Sequence, residues 1–448
     1  MSAVKEEITY QDLFKFFLPL AVMPLIIGVV HNSVNASLAR LPYPELTLAI
    51  FAVAKGITNN IKSPIHMARQ TVTSLVDDRE SFNFVSRFIF SLAVLFFLML
   101  AALGFTPLGG FVFKNLIGLK DPREIAFAYQ ALRIMAFIPL VESLRNIFQG
   151  LAISLKKTKL LTPAVVVRII VILSLLYIVT TTEIVSGITA ASGVWFAGIA
   201  IEFLVVFFAL RYSVGSIREI TSALPQNVSK KVNLKRILRF FIPIAVMAFL
   251  ARFVQPVVQS GIVRSSITRY DLAAYGVSWT LVMIFVGPLD MLHQCSLVFA
   301  RQLNNKNWRR IVIFSLLVGL TASLILVLLA FTPLGDFVLE SLISVSAEIS
   351  ALVKKVILAF ILFPVIRAFR ETFWGVMMQQ QTTNIIAVAK IVGLIFVVLV
   401  FLFFALTTEI NAAIIAALAL TAGEAADAFT ISYFIFKNDI LKEIYRQN

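Results

Sequence analysis

The chain has 448 residues, of which 59% are hydrophobic and only 14% charged, with a mean hydropathy of +0.92. Soluble domains carry about a quarter charged residues, so a soluble globular fold is excluded. The formal net charge of +15 is spread over short stretches between apolar segments, which argues for membrane topology and against nucleic-acid binding.

The opening MSAVKEEITYQDLFKFF has no small-residue cleavage site after a short apolar core, so the first apolar segment reads as a retained helix. Twelve apolar segments follow in order, near 12–39, 47–76, 82–105, 125–155, 159–181, 185–212, 236–264, 271–301, 308–332, 348–378, 383–407 and 411–436. Residues 88–113 and 311–335 contain no charge at all. Each run exceeds the roughly 20 residues that cross a hydrocarbon core. The fold class is therefore an all-α polytopic membrane protein with twelve transmembrane helices. The polar stretch 213–235, with Pro225 and the Lys230-Lys231 pair, divides an N-terminal six-helix lobe (1–212) from a C-terminal one (236–448). Its Asn227-Val228-Ser229 sequon reads as a chance match. Lys and Arg concentrate in the loops on the side of the N-terminus. That places both termini in the cytoplasm of a multi-pass plasma (inner) membrane protein. The loop Gln379-Gln380-Gln381 departs from this pattern. The lone Cys295 forms no internal disulfide and reads as a small core residue.

The two halves repeat. Phe16-Phe17-Leu18-Pro19-Leu20-Ala21-Val22-Met23 returns 224 residues later as Phe240-Phe241-Ile242-Pro243-Ile244-Ala245-Val246-Met247. Pro64, Met67 and Gln70 match Pro288, Met291 and Gln294, and Phe105-Thr106-Pro107-Leu108-Gly109 matches Phe331-Thr332-Pro333-Leu334-Gly335. Pro139, Arg145, Phe148 and Gly150 match Pro364, Arg370, Phe373 and Gly375, and Thr181-Thr182-Glu183-Ile184 matches Thr407-Thr408-Glu409-Ile410. Matches in order at nearly constant offset indicate an internal duplication. With six helices per copy both copies start on the same side, the parallel repeat that transporters use. The paired prolines predict helix bends, either for packing or for movement.

A charge at mid-bilayer costs about 2.5–3.5 kcal/mol even on the gentler insertion scale, so charges there face a partner or a cavity. Lys55, Lys62, Arg133, Arg145, Arg168, Arg252, Arg367, Arg370 and Lys390 fall within helices; the acidic candidates Glu142, Glu202, Asp290, Glu371, Glu424 and Asp427 are fewer. Glu142 and Arg145, three apart, and Arg367 and Glu371, four apart, are spaced to pair. By the repeat, Glu142 aligns with Arg367, which also allows a pair across the pseudo-axis, and Glu202 aligns with Asp427. The basic excess points to anions, since guanidinium forks fit carboxylate and phosphate oxygens. Arg145, Arg370, Arg168, Lys390, Lys62, Arg252 and Arg367 are the candidate substrate-binding residues. Snorkelling to an interface competes with that role for Arg133, Lys55 and Arg252, and Arg168 and Lys390 are read either as cavity residues or as anchors at the cytoplasmic surface. His66 aligns with Asp290 and Arg69 with His293; His66, Asp290, His293, Glu142, Glu202 and Asp427 form a candidate proton or coupling-ion relay. For each histidine a hydrogen-bonded core role is the simpler alternative. No HExxH, GxSxG, Walker or Cys/His metal spacing occurs, which argues against an enzyme, a metal or a cofactor.

Pro139, Arg145, Gly150, Leu155-Lys156-Lys157-Thr158, Leu161, Pro163 and Arg168-Ile169-Ile170-Val171, together with the opening LFKFFLPL, resemble the progressive ankylosis family of the multidrug/oligosaccharidyl-lipid/polysaccharide (MOP) exporter superfamily. The chain reads as a prokaryotic relative of it. The resemblance implies a MATE-like V of two six-helix lobes around a central cavity, and export of polyanions such as pyrophosphate, ATP or citrate. The expected function is alternating-access export of small organic or phosphorylated anions, with a proton or sodium ion as possible coupling ion. A cation-exporting multidrug transporter, a flippase for an anionic lipid-linked glycan and a membrane scaffold are the competing readings. The major facilitator fold also has two six-helix halves, but its Gly- and Arg-rich loop after the second helix is replaced here by Val76-Asp77-Asp78-Arg79-Glu80-Ser81.

Overall fold

The computed structural model describes residues 7–38, 44–182, 185–224, 231–265, 270–299, 305–343 and 345–437. Among them the regular structure is entirely helical. Twelve long helical segments follow the twelve apolar runs: α1 Tyr10–Leu38, α2 Pro44–Ile61 continued by a 3₁₀ turn Ser63–Met67 and by Ala68–Leu75, α3 Arg79–Phe105, α4 Pro122–Ser154, α5 Thr158–Thr182, α6 Gly187–Val214, α7 Leu234–Ser265, α8 Asp271–Phe299, α9 Asn305–Phe331, α10 Ala347–Gln379, α11 Thr383–Thr407 and α12 Ala412–Lys437. Among the described residues, ten are long and apolar enough to cross a membrane. The sequon at Asn227 lies outside the described residues.

Local chemistry sets the ends. α3 starts at a capping box: Ser81 N–H donates to Asp78 Oδ1 at 2.7 Å and Asp78 N–H donates to Ser81 Oγ at 3.0 Å. Asp121 and Glu124 do the same for α4, with Pro122 at the first helical position. Thr106 and its repeat partner Thr332 close α3 and α9 by donating to the carbonyls of Ala102 and Leu328, both at 2.6 Å, and a proline follows each.

The duplication is written into the backbone. α2 and α8 break at 3₁₀ turns holding Pro64 and Pro288. α4 and α10 break and restart at Ile138 and Phe363, with Pro139 and Pro364 in the first turn of the second piece. At these four prolines the helix breaks; Pro19, Pro24 and Pro243 lie inside continuous helical segments. The turns after α4 and α10 both pass through a left-handed non-glycine residue, Lys156 (φ 56°) and Gln381 (φ 59°). Each is a Schellman closure: Lys157 N–H reaches Ala152 O at 2.8 Å, and Thr382 N–H reaches Met377 O at 3.0 Å.

By contacts the chain forms two compact units, Leu25–Ala248 and Met1–Pro24 with Phe249–Asn448, here the N-terminal and C-terminal units. The boundaries fall within α1 and α7. In the N-terminal unit α4 packs against α2, α3 and α6, and α5 against α6. Its core includes Phe51, Ala54, Leu132, Met135, Trp195 and Ile199. In the C-terminal unit α10 packs against α8, α9 and α12, and α11 against α12. There the N-terminal stretch joins α9: Glu7 pairs with Lys306 and, at 2.9 Å, with Arg310, and Ile8 N–H donates to Asn307 Oδ1 at 3.1 Å.

Candidate functional site

Each unit gathers its intramembrane charges around the helix breaks. In the N-terminal unit, the second half of α4 carries Glu142, Arg145, Asn146 and Gln149 within two turns. Glu142 receives Lys62 from the end of the first α2 piece, His66 Nδ1 at 3.2 Å from the 3₁₀ turn, and Arg145 Nη2 at 3.0 Å. Glu202 of α6 receives Arg168 Nη1 of α5 at 2.7 Å, Arg145 Nη1 at 3.3 Å and Gln149 Nε2 at 2.8 Å. Asn146 Nδ2 donates to Ile65 O at 2.9 Å, satisfying a carbonyl in the turn that interrupts α2. The anticipated Glu142–Arg145 pair forms, and Arg168 is buried on Glu202 rather than held at a surface.

The C-terminal unit repeats this frame with other side chains. Asp427 of α12 receives Arg370 Nη1 at 3.1 Å and lies 3.6 Å from Lys390 Nζ of α11. This is the same triad as Arg145–Glu202–Arg168, with the same separation of 57 residues between arginine and acid. Arg367 pairs with Asp290 of the α8 turn at 2.8 Å and with Glu424 at 3.1 Å, and lies 3.8 Å from Glu371. Arg370 also pairs with Glu371, lies 2.9 Å from Glu424 and stacks on Trp374, its guanidinium carbon 4.1 Å from the ring centre. His293 lies between Glu371, 2.8 Å from its Nδ1, and Gln294, 2.8 Å from its Nε2.

The copies diverge at matched repeat positions. The pair His66–Glu142 corresponds to Asp290–Arg367, with acid and base exchanged. Asn146 corresponds to Glu371, Ile199 to Glu424, and Arg69 to His293. Exposure is exchanged too. Arg145 keeps 13% of its side chain exposed while its counterpart Arg370 keeps 1%; one turn earlier Glu142 is buried while Arg367 keeps 19%. The equivalence expected for Arg145 and Arg370 therefore holds for their place in the fold and not for their surroundings. Among the described residues, the N-terminal cluster joins Lys62, Arg145, Arg168 and His66 to two carboxylates. The C-terminal cluster joins Arg367, Arg370, Lys390 and His293 to four. Buried charges are tolerated only when paired this closely.

Of the remaining candidates, Arg252 lies half-buried on a 3₁₀ turn, Ala251–Phe253, of α7. Arg133 is exposed, donating from Nε to Gly104 O at 3.0 Å, as a snorkelling residue does. Glu371, Glu424, Asn146 and Gln149 are cluster members that were not singled out for the site. For Glu424 the available signal was the constant 57-residue spacing from arginine to acid, here from Arg367. Among the described residues, no group of three or more His, Cys, Asp or Glu is placed to hold a metal ion.

Residues 226–444 match the family model of the Progressive ankylosis protein (ANKH). The family resemblance is thus borne out, but over the half that does not contain the Pro139–Val171 motif and the opening LFKFFLPL on which it was read. Solved structures of MOP-superfamily transporters share the fold over nearly the whole chain. A MOP-superfamily transporter from Pyrococcus furiosus, described as having a binding pocket of reverse polarity, is 13% identical, with a TM-score of 0.74 and coverage of 97% of this chain and 96% of that one. An outward-facing multidrug resistance MATE transporter is 12% identical, with a TM-score of 0.73 and coverage of 97% and 96%. The Vibrio cholerae MATE transporter VcmN is 12% identical, with a TM-score of 0.72 and coverage of 97% and 98%. At such identity the likeness establishes the fold. The chain is a multi-pass membrane protein with the fold of the MOP transporters.

Proposed function

We propose that this chain, progressive-ankylosis-like over its C-terminal half and MOP-like in fold throughout, is an alternating-access exporter of small organic or phosphorylated anions of the citrate, nucleotide or pyrophosphate kind. The observation that carries this reading is the N-terminal cluster. Three fixed cations, Lys62, Arg145 and Arg168, surround two carboxylates, and Arg145 stays partly accessible. An uncompensated positive charge in a low-dielectric setting favours an arriving carboxylate or phosphate. The C-terminal cluster, with four carboxylates to three fixed cations, is the natural place for a coupling cation, a proton or sodium ion. Asp290, His293 and Asp427 belong to it, whereas His66, Glu142 and Glu202 belong to the anion side. The distribution of loop Lys and Arg supports a reading with both termini in the cytoplasm, and the transporter is proposed to sit in the plasma (inner) membrane.

Export of organic cations would have to use the C-terminal carboxylates, and each of those already pairs with Arg367, Arg370 or Lys390. The test is a thermal-shift screen of citrate, pyrophosphate and ATP on purified protein, repeated with Arg145→Ala and Arg370→Ala. Stabilisation of the parent that is lost in Arg145→Ala supports the assignment. Shifts that survive Arg145→Ala would make that arginine structural and overturn it.

A further inference from the structure

His293 opens the last piece of α8, Leu292–Phe299, just past the 3₁₀ turn Gly287–Met291. Gly375 of α10 lets the two helices close at this level: a Cβ added there would lie 2.2 Å from His293 O. Glu371, one turn earlier on α10, thereby reaches the ring from one side, its Oε2 2.8 Å from Nδ1. Gln294 meets the other side, its Nε2 2.8 Å from His293 Nε2. An amide NH₂ only donates, so the ring Nε2 accepts and the ring proton sits on Nδ1, donating to Glu371. In this arrangement Gln294 Oε1 is buried and, among the described residues, has no hydrogen-bond partner. A half-turn of the amide exchanges its nitrogen and oxygen. The oxygen then accepts from an Nε2–H, and an imidazolium is held on both sides, by Glu371 and by Gln294. The second acceptor for one more proton is already in place, and taking that proton breaks no ion pair.

The surroundings favour the charged ring. From α10 come Glu371, Arg370 and Arg367, and from α8 itself Asp290 and Cys295. Glu371 pairs with Arg370 and lies 3.8 Å from Arg367, which holds Asp290 at 2.8 Å. α9 packs against the same piece and carries Lys306, Arg309 and Arg310 in its first turns, Lys306 and Arg310 on Glu7. α1 touches the piece at Phe16–Phe299 and carries Asp12 and Lys15 in its first turns. Among the described residues the cluster holds four carboxylates and three fixed cations, so an imidazolium brings the cations to four. Asp290 keeps 31% of its side chain exposed against 6% for His293, which makes Asp290 the solvent side of the cluster. All four carboxylates are engaged by Arg367 or Arg370. A sodium ion would have to draw several oxygens away from those arginines, whereas a proton needs one lone pair.

The other copy lacks this chemistry. The positions equivalent to His293, Gln294 and Glu371 are Arg69, Gln70 and Asn146. A guanidinium is charged at every working pH, and the amide of Asn146 carries no charge to answer it. The copies thus keep the same frame, with a permanent cation in one and a cation that can be gained and lost in the other.

We propose that His293, held between Glu371 and Gln294, carries the coupling ion and that this ion is a proton. This rests on the exporter reading above and chooses between its two coupling ions. On loading, the Nε2 lone pair takes the proton and the Gln294 amide turns; unloading reverses both steps.

The test uses the full chain and the variants His293→Gln, His293→Arg and Gln294→Met. In proteoliposomes loaded with labelled citrate or pyrophosphate, efflux by the parent is expected to respond to a pH gradient and not to a sodium gradient. The response should be lost in His293→Gln and in His293→Arg, which fixes the charge. In Gln294→Met it should persist with its pH midpoint about one unit lower, the equivalent of one charge-assisted hydrogen bond. In detergent, the histidine ring resonances are followed from about pH 5 to about pH 9. The resonance missing from His293→Gln should titrate in the parent and shift its midpoint in Gln294→Met. A pH response unchanged in His293→Gln, a response to sodium alone, or a His293 ring that does not titrate overturns the proton site. A parent that moves neither anion under any gradient overturns the exporter reading instead, and the ring titration still decides whether His293 takes a proton.

Discussion

Glu202→Gln tests the paired-cluster account most sharply. Glu202 is buried, at 1% exposure, and is the shared acceptor for Arg145, Arg168 and Gln149. The amide keeps the shape but removes the charge, leaving Arg168 and Arg145 facing a neutral group. Breaking a buried ion pair from one side costs about 3–5 kcal/mol, because the remaining charge stays desolvated. For a unit of this size that corresponds to a fall of roughly 10 °C in melting temperature. Arg168→Met removes the most closely bound of the two arginines. In the double variant Arg145 keeps its pair with Glu142 at 3.0 Å, and the buried Arg168, the arginine that the loss of the Glu202 charge leaves most desolvated, is gone. A double-mutant cycle should therefore give a coupling energy of about 1–3 kcal/mol, so that the double variant is more stable than additivity allows. The readout is unfolding of the detergent-purified protein followed by size-exclusion recovery after heating. Wild-type stability in Glu202→Gln, or strict additivity in the cycle, would refute the claim that this cluster is held by its ion pairs.

Three further outcomes follow from single features. Replacing Lys156 or Gln381 by glycine relieves a left-handed backbone and should stabilise the chain by up to about 1 kcal/mol, whereas valine at either place should destabilise it, as melting curves will show. At Gly375 an added Cβ would lie 2.2 Å from His293 O and 2.5 Å from Ser296 Cβ, against 2.8 Å from Val72 Cβ and 2.9 Å from Arg69 O at Gly150. Gly375→Ala should therefore cost more than Gly150→Ala, both in the range of about 1–3 kcal/mol, and equal stabilities would contradict the close α8–α10 contact. Hydrogen bonds from the Ser81 hydroxyl and backbone N–H hold the Asp78 carboxyl below its ordinary value of 3.8. Its capping contribution, about 1 kcal/mol, is thus complete above that value and fades as pH falls through the lower folded value. Asp78→Ala should lose it at neutral pH, and Asp78→Asn should flatten the acid limb of the stability–pH curve.

The twelve helices were legible because each is a long, mostly apolar run, and apolarity over this length has few alternatives in a membrane. The four helix breaks were legible from Pro64, Pro139, Pro288 and Pro364, since a missing N–H and a fixed φ act locally. At Pro19 and Pro243 the helix continues through the proline without a break. Pairs within one helix, Glu142–Arg145 and Arg367–Glu371, could be read from spacing. The stronger contacts could not. Arg168 with Glu202 and Arg370 with Asp427 join different helices, and only packing decides which of several acids an arginine meets. Exposure was equally hidden: the sequence treats Arg145 and Arg370 alike, and the structure buries one among three carboxylates. The contact of Lys55 with Trp195 was hidden as well, because nothing local announces that a ring far along the chain will lie beside it.

Transport of charged solutes by the purified chain in proteoliposomes tests the central claim most directly. Vesicles loaded with labelled citrate or pyrophosphate, and parallel vesicles loaded with an organic cation, are followed with the parent and with Arg145→Met. Efflux of the anions by the parent, a loss of about tenfold or more in Arg145→Met and retention of the cation are the predicted results. Movement of the cation with both anions retained would contradict the account.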